Sequence, residues 1–168
     1  MAEVSVLVLG DWLENDVSPY LGFASSERQA AVARFRFASD KNRSLWAELF
    51  ARWCLAEAAG LSPAEIEISH DEKRKPFCKN PPFSVSLSHS GAYIAVAVGK
   101  SAVGVDVERK RKISLAVSRR WFRPEEHEFL TSLPEEERAR AFFRFWTLKE
   151  AALKYRSEER RVGKECRS

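Results

Sequence analysis

The stretch SVSLSHSGAYIAVAVGKSAVGVDVE, from Ser84 to Glu108, decides the fold class of this 168-residue chain. Its first five residues, 84–88, alternate strictly between hydroxyl and apolar side chains, which is typical of a strand with one buried face. Two apolar runs follow, at 92–98 and 102–108, and the glycine-containing triplet 99–101 between them predicts a tight hairpin. The stretch is therefore expected to form three successive strands.

Helices are expected on either side of this stretch. The segment from Val4 to Leu9 predicts one early strand, but the chain after Ser39-Asp40 has helical apolar spacing until Gly60. Pro134 fits the first turn of a final helix that is expected to run to about Tyr155. Because strands concentrate in the first two-thirds and helices in the last third, the sequence predicts an α+β fold rather than a doubly wound one.

Composition excludes several classes of protein. Hydrophobic residues make up 45% of the chain, which is ample for a core and excludes wholesale disorder. The net charge of +4, from 28 basic and 24 acidic residues, is too balanced to favour nucleic-acid binding. The three cysteines lack metal-ligand spacing, and no apolar run approaches the ~20 residues of a membrane span. Glu3 lies where a signal peptide would carry positive charge, so a signal peptide is not predicted. We expect a soluble cytoplasmic protein with no nucleic-acid and no membrane partner.

Two carboxylates share one face of the expected strand 103–108. Alternation places its valines on one side and Gly104, Asp106 and Glu108 on the other, with the two acids about 7 Å apart. Unpaired carboxylates this close repel each other. A divalent ion such as Mg²⁺ or Mn²⁺ satisfies both at once. Neutralisation by the basic run 109–111 is the alternative.

Glu150 falls inside the apolar arc of the last helix. A carboxylate turned towards a core needs a partner, and Lys154 four residues on supplies a local one. The other interpretation is that Glu150 joins Asp106 and Glu108 in a three-carboxylate metal site, with Lys154 beside it for a phosphate oxygen. Lys149 also lies within the arc, which suggests that this face borders a polar site.

Basic residues that could hold phosphate groups lie upstream. Arg28 and Arg43 stand near the starts of helical segments, where backbone N–H groups favour anions. Lys75 lies in a charged loop, and His89 directly follows a strand. Each also has an ordinary structural interpretation, as a solvated helix residue or a satisfied turn residue. A Ser–His triad is not favoured, because neither an aspartate partner nor a nucleophile elbow accompanies His89.

Taken together, these residues resemble the motifs of 4′-phosphopantetheinyl transferases. The segments 103–108 (VGVDVE) and 146–154 (WTLKEAALK) are similar to the two signatures of that family. Lys75-Pro76 and the segment 88–91 (SHSG) resemble its coenzyme A motifs, and 40–43 (DKNR) resembles its basic helix start, although Arg74 stands where the family often has glycine. The resemblance covers about 25–155 and is closest to the larger, monomeric type that activates surfactin synthetase and other peptide synthetases.

The resemblance implies a pseudo-dimeric α+β fold of two similar halves. Residues 1–99 would be the coenzyme A-binding half, and residues 100–155 would carry the metal and catalytic motifs in an incomplete second half. Residues 156–168 (RSEERRVGKECRS) contain one aliphatic residue and resemble a translated sequencing adapter, so we expect a non-native tail. Family members run well past the second signature, so the natural chain is expected to continue beyond Tyr155.

The resemblance also implies a role for each candidate residue. It implies that Mg²⁺, or Mn²⁺, binds the pyrophosphate of coenzyme A through Asp106, Glu108 and Glu150. The implied catalytic residues are Glu108, Glu150 and Lys154, with Glu150 or a metal-bound water deprotonating the acceptor serine and Lys154 contacting a phosphate. The implied coenzyme A contacts are Arg28, Arg43 and His89 at the 3′-phosphate and Lys75 and Ser88 at the adenine.

The implied activity moves the 4′-phosphopantetheine arm of coenzyme A to a serine of an apo acyl or peptidyl carrier protein and releases 3′,5′-ADP. Three alternatives stay open at the level of sequence. The same acids could serve a metal-dependent phosphatase or nuclease, although two-metal sites usually use more ligands. The basic run 109–112 could belong to a nucleic-acid-binding module. The chain could also be an inactive, truncated fragment of such a transferase.

Overall fold

The computed structural model describes residues 2–70, 76–78 and 82–165. Within these residues the strands are β1 (Ala2–Val8), β2 (Ile68–His70), β3 (Pro76–Cys78), β4 (Ser84–Ser90) and β5 (Tyr93–Gly99). The α-helices are α1 (Ser26–Ala33), α2 (Ala38–Ala59), α3 (Leu115–Trp121), α4 (Pro124–Ser132) and α5 (Glu135–Glu165). The strands β1, β5 and β4 form an antiparallel sheet in that order, and β2 pairs with β3. The expected α+β class is confirmed.

The three-stranded sheet presents a different surface on each face. Val85, Ile94 and Val96 are buried on one face, in the core cluster that also contains the apolar side of α2. Ala95 and Ala97 are buried on the opposite face. Because successive strand residues point to opposite faces, the even-numbered serines of β4 lie on the alanine face. We call this face of the sheet the serine face.

The predicted long helix is confirmed as α2, which begins at Ala38 and therefore one residue before the expected cap. It ends where Gly60 turns left-handed, with φ of 68°, a conformation that glycine adopts readily because it lacks a Cβ. Leu45 and Leu55 of this helix are fully buried, whereas Trp53 of the same helix is 49% exposed. The helix thus covers one face of the sheet and leaves the serine face to the rest of the chain.

The predicted strand at 102–108 is not a strand in the structure. The tight hairpin joins β4 to β5 instead, and its turn contains Gly91 with φ of 60°. Residues 102–108 carry no regular secondary structure, and Val103 and Val105 pack on Ala95 and Ala97 of the serine face. The prediction of a paired strand is therefore wrong, because the segment lies against the sheet and does not extend it. We call residues 102–109 the acidic segment.

The helices α3, α4 and α5 form a second core cluster. Phe122, Leu130, Phe142 and Phe143 are buried together in it. Lys149, which the sequence places inside the apolar arc of the last helix, pairs its Nζ with Glu126 Oε2 at 2.7 Å and lies over the Phe122 ring. Its aliphatic stem is thus compatible with an apolar surface while its charge is satisfied.

The expectation that the last helix ends near Tyr155 is wrong, because α5 continues to Glu165. The residues after Tyr155 are mostly Arg, Glu and Lys, which are good helix formers and can prolong a helix without a core. The non-native origin of 156–168 and the division of the chain after residue 99 both stay predictions.

Apolar side chains remain exposed on the serine face and on α5. Val4 and Val6 of β1 pair in register with Ala97 and Ala95 of β5, and Val8 pairs with Tyr93. All three valines are more than half exposed. Leu148 and Leu153 of α5 are also more than half exposed. The chain therefore leaves part of two apolar surfaces uncovered. None of the helices in the described ranges is both long and apolar enough to cross a lipid bilayer.

Candidate active site

The acidic segment is held on the sheet by three serine hydroxyls of β4, which we call the serine ladder (Ser86, Ser88 and Ser90). Ser86 Oγ accepts a hydrogen bond from the backbone N–H of Val105 at 3.1 Å. Ser88 Oγ donates to Asp106 Oδ1 at 2.7 Å, and Ser90 Oγ donates to Glu108 Oε2 at 3.0 Å. Both strand-face carboxylates predicted from the sequence are therefore anchored to the sheet by side chains.

The second motif reaches the acidic segment through α5. Lys154 Nζ lies 2.8 Å from Asp106 Oδ1 and 3.1 Å from the carbonyl oxygen of Val105. The sequence analysis suggested Glu150 or a phosphate oxygen as the partner of Lys154, whereas the structure pairs Lys154 with Asp106. This contact joins the VGVDVE and WTLKEAALK motifs directly.

Gly104 permits this close approach. A Cβ at residue 104 would lie 2.6 Å from the backbone nitrogen of Tyr155 and would also collide with the carbonyl oxygen of Ala151. Backbone atoms of a helix cannot move aside individually, so only glycine fits at this position. The Asp106–Lys154 contact therefore depends on a residue without a side chain.

The carboxylates do not form a closed metal cluster in the described part of the chain. No group of three or more His, Cys, Asp or Glu side chains there is arranged to hold a metal ion. Asp106 and Glu108 are brought together on the acidic segment, and Glu150 lies half-buried on α5. One oxygen, Asp106 Oδ2, is buried and has no hydrogen-bond partner among the described residues. Because a buried carboxylate oxygen without a partner is costly, this orphaned atom fits a cation ligand.

Basic side chains gather around His89, at the end of β4. Partial desolvation lowers the pKa of His89 below its ordinary value although the residue is still exposed, and the positive charges of Arg43, Lys154 and Arg28 lower it further. His89 is therefore predominantly neutral at pH 7, and it lies in a region of positive potential. The charges of Arg28, Arg43 and Lys154, which are the other predicted phosphate contacts, thus all act on His89.

Two of these basic residues are also tied into the fold. Arg43 Nε donates to the carbonyl oxygen of Gly91 at 3.0 Å, and its Nη1 lies 3.1 Å from Asp40 Oδ1. Arg28 Nε lies 3.0 Å from Glu48 Oε2. Both arginines are therefore bound to other parts of the fold and are not simply solvated helix residues, and Arg43 donates to the turn that follows His89.

The structure reveals a buried carboxylate that the sequence analysis did not single out. Glu48 on α2 is 2% exposed and accepts hydrogen bonds from the N–H and hydroxyl of Ser25 and from Arg28. Burial alone would raise the pKa of Glu48, but these hydrogen bonds and the charge of Arg28 hold it below its ordinary value. Its helical spacing, three residues after Leu45, could have indicated from the sequence that Glu48 is buried.

Lys75, the predicted adenine contact, lies outside the described residues. The other predicted adenine contact, Ser88, donates its hydroxyl to Asp106.

Family models cover nearly the whole chain. A model described as 4′-phosphopantetheinyl transferase superfamily matches residues 102–166, which include both signature motifs. A second, described as 4′-phosphopantetheinyl transferase, N-terminal, matches residues 14–101. The chain belongs to the 4′-phosphopantetheinyl transferase superfamily. The identification made from the motifs is therefore confirmed, and the Asp106–Lys154 contact lies inside the superfamily match.

Individual phosphopantetheinyl transferases agree with this assignment. The transferase psf-1 of Bacillus pumilus is 37% identical over 133 residues, which are 79% of this chain and 57% of the relative. The transferase Sfp of Bacillus subtilis strain 168 is 27% identical over 136 residues, 80% of this chain and 61% of the relative. These matches support the assignment of this chain to the same type of phosphopantetheinyl transferase as Sfp. The chain spans about three-fifths of the length of the curated relatives it matches.

A solved structure is also similar to part of the chain. It is the Helicobacter pylori holo-[acyl-carrier-protein] synthase in complex with coenzyme A, with a TM-score of 0.45 and 21% sequence identity. The similarity covers 58% of this chain and 97% of the synthase chain.

Proposed function

We propose that this protein transfers the 4′-phosphopantetheine arm of coenzyme A to a serine of an apo acyl or peptidyl carrier protein, with Mg²⁺ bound, and releases 3′,5′-ADP. The observation that carries the proposal is the Asp106–Lys154 contact, which brings the two family signatures together beside the basic group around His89. We further propose that it acts in the cytoplasm as a monomer, with coenzyme A and the carrier protein as its partners.

The metal would be held by Asp106, Glu108 and Glu150. The orphaned Oδ2 of Asp106 supports this assignment, because a hard cation is a natural partner for a buried carboxylate oxygen. When bound, Mg²⁺, or Mn²⁺ in its place, would neutralise charge that develops on the phosphate of the leaving 3′,5′-ADP. Glu150 supplies its oxygen from α5, one residue before the Gly104 contact at Ala151.

The basic side chains bind and orient coenzyme A. Arg28, Arg43 and His89 hold the 3′-phosphate, and Lys75 and Ser88 line the adenine pocket. His89 serves as a neutral hydrogen-bond donor at pH 7, since its lowered pKa keeps it unprotonated. Lys154, which already lies next to Asp106, donates to a phosphate oxygen at the reacting end of the coenzyme.

The transfer itself requires no enzyme-bound nucleophile. The carrier-protein serine hydroxyl attacks the β-phosphate of coenzyme A, and its proton is accepted by the carboxylate of Glu150. The new bond joins the serine oxygen to that phosphorus, and the bond from the same phosphorus to the bridging oxygen of 3′,5′-ADP breaks. Glu108 and Lys154 orient the pyrophosphate during this exchange.

Mass spectrometry of an apo carrier protein incubated with the chain, coenzyme A and Mg²⁺ tests the proposal. Wild type should add one phosphopantetheine arm, and Glu150→Gln should convert the carrier at least about 100-fold more slowly, because the amide cannot act as a base. Glu136→Gln, an exposed acid at the start of the same helix, is the matched control and should behave like wild type.

Three results would contradict the proposal or part of it. Near-wild-type conversion by Glu150→Gln would remove Glu150 from the catalytic residues. An unmodified carrier protein with the wild-type chain would refute transfer by this chain and favour the inactive fragment. Release of free phosphate or cleavage of nucleic acid would favour the metal-dependent hydrolase.

A further inference from the structure

We infer that Ser90 is a positioning residue for the metal-binding carboxylate of Glu108, an inference that rests on the function proposed above. Ser90 Oγ makes two hydrogen bonds to the acidic segment. It accepts from the backbone N–H of Arg109 at 3.0 Å and donates to Glu108 Oε2 at 3.0 Å. A serine hydroxyl has one hydrogen, so acceptance from Arg109 leaves that hydrogen for the carboxylate.

The two carboxylates and their two serines repeat at the same interval. Asp106 and Glu108 are two residues apart, as are Ser88 and Ser90, and each acid is bound by one serine. Because residues two apart lie on the same face of a strand, β4 offers its hydroxyls in a fixed row. The serine ladder therefore sets both the spacing and the direction of the two carboxylates.

The turn after Ser90 fixes the same region from a second side. Gly91 has φ of 60°, and a Cβ there would lie 3.0 Å from Cδ of Arg109. The carbonyl oxygen of Gly91 accepts from Arg43, one of the basic residues around His89. The Ser90-Gly91 pair thus contacts the acidic segment on one side and an anion-binding side chain on the other.

Loss of the Ser90 hydroxyl should change the orientation of the Glu108 carboxylate more than it changes the stability of the fold. Ser90 is the last residue of β4 and is only half-buried, so its removal takes away little packing. Glu108 would keep its charge but lose the bond that limits its side-chain rotamers. Groups that orient a metal ligand in this way typically change metal affinity by about 10–100-fold when they are removed.

Titration of the full 168-residue chain with Mn²⁺ alone, read by electron paramagnetic resonance, tests this role without any substrate. Ser90→Ala should raise the Mn²⁺ Kd by about tenfold. Ser90→Thr keeps the hydroxyl and should stay within about twofold of wild type. Ser84→Ala removes a hydroxyl from the same face of β4, about 20 Å along the strand from Ser90, and is the matched control. Thermal unfolding of each variant measures any loss of the fold.

An unchanged Mn²⁺ Kd in Ser90→Ala would overturn the inference, as would an equal loss in Ser84→Ala. If Ser90→Ala does not fold, Ser90→Cys carries the same test, because a thiol has a similar shape but donates a much weaker hydrogen bond. Asp106→Asn tests the proposed metal site independently of Ser90. Weaker binding in Asp106→Asn but not in Ser90→Ala would reject Ser90 alone, whereas no change in either would reject the proposed metal site together with Ser90.

Discussion

Replacement of Gly104 by alanine should destabilise the chain and open the site at the same time. The added Cβ would lie 2.6 Å from the backbone nitrogen of Tyr155, whereas ordinary contacts of a Cβ begin at 3.4 Å. The helix α5 must therefore retreat by roughly 0.8 Å or more, and overpacking of this kind costs about 1–3 kcal/mol. For a domain of this size, that corresponds to a fall in melting temperature of about 2–12 °C.

The same retreat should lengthen the 2.8 Å contact between Lys154 Nζ and Asp106 Oδ1, since Lys154 lies on the displaced turn of α5. Thermal unfolding followed by circular dichroism measures the first effect, and carrier-protein modification measures the second. Gly22→Ala is the matched control, because a Cβ at residue 22 meets nothing within 4 Å. If Gly104→Ala melts within about 1 °C of Gly22→Ala, the backbone contact does not constrain the fold and the reasoning is refuted.

Two further outcomes follow from the basic group around His89. Arg43→Ala should raise the Kd for coenzyme A in titration calorimetry by about 10–100-fold, which is the equivalent of one charged hydrogen bond. The loss of affinity should be smaller for dephospho-coenzyme A, which lacks the 3′-phosphate. Equal losses for both ligands would show that Arg43 does not bind the 3′-phosphate. Because the folded pKa of His89 lies below its ordinary value of about 6.5, the unfolded chain binds a proton that the folded chain does not, so stability falls as pH drops through 6.5 towards the lower folded pKa. Urea unfolding at pH 7.5 and 5.5 should show a smaller fall for His89→Gln than for wild type, and an equal fall would contradict the shift.

Alternation in the sequence does not show how a segment attaches to a sheet. In VGVDVE the valines pack on Ala95 and Ala97, and Asp106 and Glu108 bind serines on the same face of the sheet. The predicted hairpin at 99–101 is wrong, because an alternating segment can attach to a sheet through serine hydroxyls as well as through a backbone ladder. Period alone does not distinguish the two modes of attachment.

The candidate site shows the same limit for charged residues on a helix. Helical spacing correctly marks Lys149 and Lys154 as close to an apolar arc, but it offers only partners within one turn. In the structure Lys149 forms an ion pair with Glu126 and Lys154 forms one with Asp106, and each acid lies far from its lysine in the sequence. Such partners depend on how the acidic segment and α5 come together, and one residue, Gly104, decides how close they come.

The contact of Gly104 with α5 also orders the events of folding. The sheet is complete in the sequence by Gly99, whereas the residues that seat against Gly104 come about fifty positions later. Contacts between such distant positions close slowly, because the intervening chain must first lose its freedom. During synthesis the sheet can therefore form while the two motifs are still apart. In the folded protein, a local opening of α5 would abolish the proposed catalysis while leaving β1, β4 and β5 paired, so the proposed activity would report on the docking of one helix and not on global unfolding.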